Sequence, residues 1–103
     1  MAQDKVTVVA TFKAKTGMEA TVRGAIEAVI APTRAEPGCI NYDLHQSSED
    51  PSLFMLYENW TSKQVLDEHL AMPYLKDLIG KAEDMLAEPI GIALYTMISQ
   101  PAS

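Results

Sequence analysis

The sequence predicts an α+β domain of ferredoxin-like type, β-α-β-β-α-β with the second helix broken. Three observations carry that expectation: four short runs of β-branched and aromatic residues, two stretches of helical periodicity between them, and a Pro that interrupts the second stretch. With 103 residues, the chain has room for one modest core, and a domain of this size buries roughly 65% of its extended surface. One domain over residues 1–103 is expected, because no repeat, linker or low-complexity run divides the chain.

The first strand is "KVTVVATFK", residues 5–13, and Lys15, Thr16 and Gly17 turn the chain. From Met18 the period changes to three and four residues, with Val22, Ile26, Val29, Ile30 and Thr33 on one stripe. Pro32 lacks an N–H and clashes with the preceding turn, so the helix is expected to kink or end near it, closed by "EPG" at Gly38. "CINYDLHQ" alternates as a second strand, with Ile40, Tyr42 and Leu44 on one face and Asn41, Asp43 and His45 on the other. "SSEDPS" supplies turn residues before the third strand, "LFMLYENW". Thr61 or Ser62 caps the next helix, and Thr61 with Gln64 has capping-box spacing. Val65, Leu66, His69 and Leu70 lie on its inward side or near it. Pro73 begins a further helix with Leu75, Leu78, Ile79 and Ala82 as its stripe. After Pro89, "IGIALYTMIS", residues 90–99, reads as the fourth strand.

Two of these strands are apolar on both faces. In the third, Phe54, Leu56 and Trp60 oppose Leu53, Met55 and Tyr57; in the fourth, Ile92, Leu94 and Ile98 oppose Ala93, Tyr95 and Met97. One layer of helices covers one side of an antiparallel sheet, so the other side would be an exposed apolar patch. A homodimer joined sheet to sheet is expected.

Fourteen acidic against eight basic residues give a net charge of −6, which repels phosphate backbones and argues against nucleic acid and anionic membranes as partners. No segment approaches the roughly 20 apolar residues of a spanning helix, and the opening residues lack a signal-peptide core. Cys39 is the single cysteine, so no disulfide forms within one chain and a reducing cytoplasm is the expected setting. A lone thiol of this kind is most simply a small buried hydrophobe.

Candidates for chemistry are few. The two histidines, His45 and His69, sit in no HExxH or cysteine cluster, and there is no GxGxxG or Walker sequence. No metal or cofactor is expected. His69 titrates near neutrality and can face the sheet that delivers Trp60, while Tyr74 follows shortly after. An imidazole, an indole and a phenol together could enclose a planar hydroxylated substrate, with Phe54, Leu56 and Glu58 on the same strand face as Trp60. Each has a plainer account in packing. Glu58 among apolar neighbours requires a partner, such as Arg34 or a backbone N–H. Asn59 and Tyr57 point to the opposite, interface side. Asn41, Asp43 and His45 form a polar strip whose simplest account is a solvated face or a network bridging a dimer.

The chain resembles the antibiotic biosynthesis monooxygenase family, including its small quinol monooxygenases. The resemblance runs through "RAEPGCINYDLHQ", "EDPSLFMLYENW" and "HLAMPYL", and above all through Glu36-Pro37-Gly38-Cys39, Tyr42, Asp50-Pro51, Phe54, Glu58, Trp60 and His69. It implies a dimeric α+β barrel, with a cavity between each protomer's sheet and helices. It also implies cofactor-independent oxidation of a hydroquinone or polyphenol by dioxygen to a quinone, with Trp60 and His69 as the cavity pair and Tyr74 more loosely placed. The family's haem-degrading branch has an Asn on the first strand, which "KVTVVATFK" lacks. Two other readings stay open: cofactor-free isomerisation of a small carbonyl metabolite, and a non-catalytic dimeric binding or stress protein.

Overall fold

The computed structural model describes residues 5–100. Four strands, β1 (Val6–Lys13), β2 (Cys39–Gln46), β3 (Leu53–Trp60) and β4 (Gly91–Tyr95), form one antiparallel sheet in the order β2-β3-β1-β4. Helices α1 (Glu19–Arg34), α2 (Lys63–Leu70), α3 (Pro73–Gly80) and the single turn α4 (Ala82–Met85) complete the chain. This is the expected ferredoxin-like α+β fold, and the broken second helix is three pieces.

Register decides which side chains meet the helices. Val8, Ala10 and Phe12 of β1 lie opposite Glu58, Leu56 and Phe54 of β3, and all six are buried. Leu94 and Ile92 pair with Val8 and Ala10, so they share this face, yet at the sheet edge they are about half exposed, at 47% and 50%. Val22, Ile26, Val29 and Thr33 supply the buried stripe of α1, and Leu66, Leu75 and Leu78 those of α2 and α3.

Several boundaries differ from the periodic reading. Pro32 lies inside α1, whose end at Arg34 falls near it as expected; so near the C-terminus the missing N–H costs one bond of the last turn only. A bulge between Cys39 and Asn41 makes Ile40 the extra residue. Cys39 then faces Trp60 across the ladder, while Ile40 leaves the face of Tyr42 and is 54% exposed. Ser62, not Thr61, caps α2 by accepting from the Val65 N–H at 3.3 Å. Met72 is extended, as a residue preceding Pro must be, and Pro73 opens α3 at its first position. β4 ends at Tyr95, level with Thr7 of β1, and does not continue to residue 99. Among the described residues, no helix is long and apolar enough to cross a membrane.

Candidate active site

The loop from α1 to β2 delivers a carboxyl group that periodicity does not reveal. Glu36 follows the last turn of α1, its N–H held by Thr33 O at 3.0 Å and its carbonyl accepting from Cys39 N–H at 3.2 Å. Gly38 then takes φ +88°, which turns the chain back beneath the start of α2, where Thr61 N–H donates to Gly38 O at 2.9 Å. The result is a buried Glu36 whose Oε2 lies 2.9 Å from His69 Nδ1. The same oxygen accepts from the Tyr74 hydroxyl, which also lies 3.3 Å from Pro32 O. Accepting from both, it fixes the imidazole with its proton on Nδ1.

His69 is enclosed on its other sides by rings. The Trp60 indole lies 4.5 Å from it, centroid to centroid, tilted by 34°, and Tyr42 meets it edge-on at 5.4 Å. Burial holds the imidazole below its ordinary range, against the pull of Glu36. A neutral ring with Nδ1–H committed to Glu36 leaves the Nε2 lone pair free, and Nε2 has no hydrogen-bond partner among the described residues.

Trp60 does a second thing: its Nε1–H donates to Glu58 Oε1 at 2.9 Å. That bond, rather than Arg34, is the partner of Glu58, because Arg34 reaches Asp43 Oδ1 and Tyr42 O instead. Burial pushes the Glu58 carboxyl up to about 7; the indole N–H opposes the rise and Glu36 adds to it.

His69 and Glu58 both line a cavity of about 40 Å³, walled otherwise by apolar groups from Val8, Ala10, Phe12 and Leu56 of the sheet and Leu66, Leu70, Leu75 and Leu78 of the helices. Tyr42 contributes its ring as well. Of the residues singled out from sequence, His69, Leu56 and Glu58 therefore reach the cavity. Trp60 does not: it is fully buried behind the imidazole. Phe54 packs in the core further along β3, and Tyr74 acts on Glu36 from the α3 side. Glu36 was the residue that strand and helix periods missed, while alternation placed Tyr42 on a strand face without marking it for the site; both stand in the family string.

Elsewhere, Asn41, Asp43, Asn59 and Thr7 form a hydrogen-bonded strip on the uncovered sheet face, with Asn59 Nδ2 donating to Asn41 Oδ1 at 2.9 Å and Thr7 to Asn59. His45 is exposed at the edge of that strip. The Cys39 thiol is pushed up to about 11 by burial and by Glu36 and Glu58, which makes it a poor nucleophile. Among the described residues, no group of three or more His, Cys, Asp or Glu is placed to hold a metal ion.

An open-sided ferredoxin-like sheet with a buried imidazole–carboxyl pair under its helices defines a small α+β protein built around an apolar acid–base cavity. The chain belongs to the antibiotic biosynthesis monooxygenase family, whose model matches residues 5–81. It is 30% identical over 98 residues to Rv0793 of Mycobacterium tuberculosis, provisionally named a monooxygenase, covering 95% of this chain and 96% of that one. It is 31% identical over 94 residues to the Synechocystis protein sll1783, covering 91% of this chain but spanning only 64% of that longer protein. The crystal structure of PA3566 from Pseudomonas aeruginosa superposes with a TM-score of 0.87 at 29% identity, over 93% of this chain and 96% of that one.

Proposed function

We propose that the protein is a cofactor-independent monooxygenase that oxidises a hydroquinone or related polyphenol with dioxygen. The observation that supports this most is His69: a neutral imidazole, oriented through Nδ1 by Glu36, with Nε2 unpartnered in an apolar cavity. Such a group accepts a phenolic proton, and a phenolate in apolar surroundings is a good one-electron donor. Electron transfer to dioxygen gives superoxide and a substrate radical, which combine as a peroxide on the ring carbon. The distal oxygen takes up the proton and departs as water while the ring C–H is lost. Hydroquinone and one dioxygen thus give one hydroxyquinone and one water. Leu56 packs the ring, Glu58 meets its polar edge, and Trp60, Tyr74 and Phe54 act by fixing His69 and the strand that carries the site.

The working unit is proposed to be a homodimer in the cytoplasm, joined through the uncovered sheet face. Support comes from Tyr57 and Tyr95, which stand 38% and 56% exposed there beside Val9, Met55 and Ala93.

The test is oxygen uptake with chemically reduced naphthoquinones and a panel of polyphenols. Wild-type protein is expected to consume dioxygen and release hydroxyquinone in equal amounts. His69→Ala should lower the rate 10²–10⁴-fold, the usual worth of general acid–base assistance, and His45→Ala should leave it unchanged. Absence of any protein-dependent uptake across the whole panel would sink the reading.

A further inference from the structure

The cavity at His69 is too small for the molecule it is proposed to oxidise. At about 40 Å³ it holds on the order of three waters, whereas pockets for small organic ligands run to roughly 300–1,000 Å³. A second hollow adjoins it. An open cleft of about 520 Å³ lies between the end of α3, α4 and the segment leading into β4, lined by Ala82, Leu86, Ala87 and Pro89. Ile79, Ile90 and Ile92 line both spaces, so these three residues stand where the two meet.

Ile92 is pinned by pairing with Ala10, and Gly91 lies so close to Thr11 that a Cβ there would come within 2.5 Å of its hydroxyl. Ile79 occupies the last turn of α3 and is 43% exposed, and Ile92 is 50% exposed. Rotamer changes at these positions need no unfolding, and they are the route by which the two hollows would become continuous. The outer cleft also has a charge. Glu83 and Glu88 stand at its rim, no basic residue lines it, and the whole chain carries −6.

We infer that the two hollows form one binding site divided by Ile79, Ile90 and Ile92, and that its ligand is an aromatic with a polar ring edge and an uncharged apolar extension. The ring edge passes the isoleucines to reach His69 and Glu58; the extension stays in the outer cleft against Leu86, Ala87 and Pro89. Anionic extensions, phosphate included, are rejected at Glu83 and Glu88. This rests on the reading of His69 as the reacting end of the cavity, and it adds the substrate's shape and charge and the residues that select them.

Binding of oxidised quinones, which cannot turn over, tests it apart from catalysis. Trp60 is the chain's single tryptophan and lies against His69, so its fluorescence reports occupancy. The probes are 1,4-naphthoquinone, its 2-octyl derivative and a derivative whose chain ends in a carboxylate. The octyl compound is expected to bind at least ten-fold tighter than the parent, and the carboxylate several-fold weaker than the octyl compound. Ala87→Phe narrows the outer cleft at an exposed position and leaves Trp60 the single reporter; it should weaken the octyl compound more than the parent and so erase the ten-fold preference. Ile92→Ala should speed association of the octyl compound. Glu88→Gln should recover part of the carboxylate's loss. Equal affinities for parent and octyl probes, no quenching by any probe, or an Ala87→Phe variant that keeps the preference would each overturn the inference. Tail-selective binding without oxygen uptake from the reduced probes would retain the divided site and reject the oxygenase reading. Uptake without tail selectivity would do the reverse.

Discussion

Glu58 shows how one buried carboxyl ties stability to pH. Its pKa rises from 4.5 to about 7 because burial disfavours the charged form, and Glu36 close by adds to the rise. Between those pH values the folded chain holds a proton that the unfolded chain has lost. Stability contributed by this group is therefore complete below about pH 4.5 and declines as pH rises through 7. The full decline is on the order of 3 kcal/mol, a large share of what a small domain possesses. Glu58→Gln keeps an oxygen for the indole N–H and has no proton to lose. Its melting temperature at pH 8 should exceed that of wild type, and the two should converge near pH 5. Trp60→Phe retains an aromatic ring beside His69 but removes the donor to Glu58, so the wild-type decline should start at lower stability and persist to higher pH. Parallel melting curves for wild type and Glu58→Gln across this range would contradict the assignment.

At the scale of elements, the connections are more constrained than the helices and strands they join. Gly38 is the clearest case: φ is +88°, and a Cβ would lie 2.8 Å from both the Thr61 hydroxyl and Val65 Cγ2. Backbone strain and collision with the start of α2 act together, so Gly38→Ala should cost about 1–3 kcal/mol, read as a drop in the denaturation midpoint at unchanged slope. Gly24, on α1 with open space around it, is the control, and Gly24→Ala should be neutral or stabilising. The same contrast explains what the sequence made legible. Alternation in "LFMLYENW" and the three-and-four spacing from Val22 to Thr33 are local signals, and both elements form where those signals place them. Leu56, Glu58 and His69 were legible for that reason, since an element's period tells which side faces the core. Ile40 was not, because a bulge of one residue reverses the faces without changing composition. Glu36 was not either: it lies in a helix-ending loop, and its meaning comes from an imidazole 33 positions later. Trp60 was placed on the right strand face, but facing the core does not say whether a ring lines a void or packs behind another ring.

For the whole molecule, the two faces of the sheet divide the work. The helix-covered face holds His69, Glu58 and the divided cavity, whereas the other presents Tyr57, Met55, Val9 and Tyr95 around the Thr7–Asn59–Asn41–Asp43 strip. Asn59 is only 5% exposed even in the single chain, because its neighbours already satisfy it. A second copy seated on this face would therefore bury apolar groups without stranding that amide. Tyr57 lies on β3, inside the sheet, with β1 and β2 on either side. Tyr57→Glu places a charge at the middle of the proposed interface, and sedimentation should show wild-type dimers giving way to monomers in the variant. Each protomer carries −6, so the dimer brings like charges together; added salt should tighten wild-type association and restore the variant only in part. The outer cleft lies on the helix side, so Ala87→Phe should leave the sedimentation profile untouched. A wild-type chain that sediments as a monomer at every concentration and salt level would remove the dimer, and with it the reason for an apolar sheet face open to water.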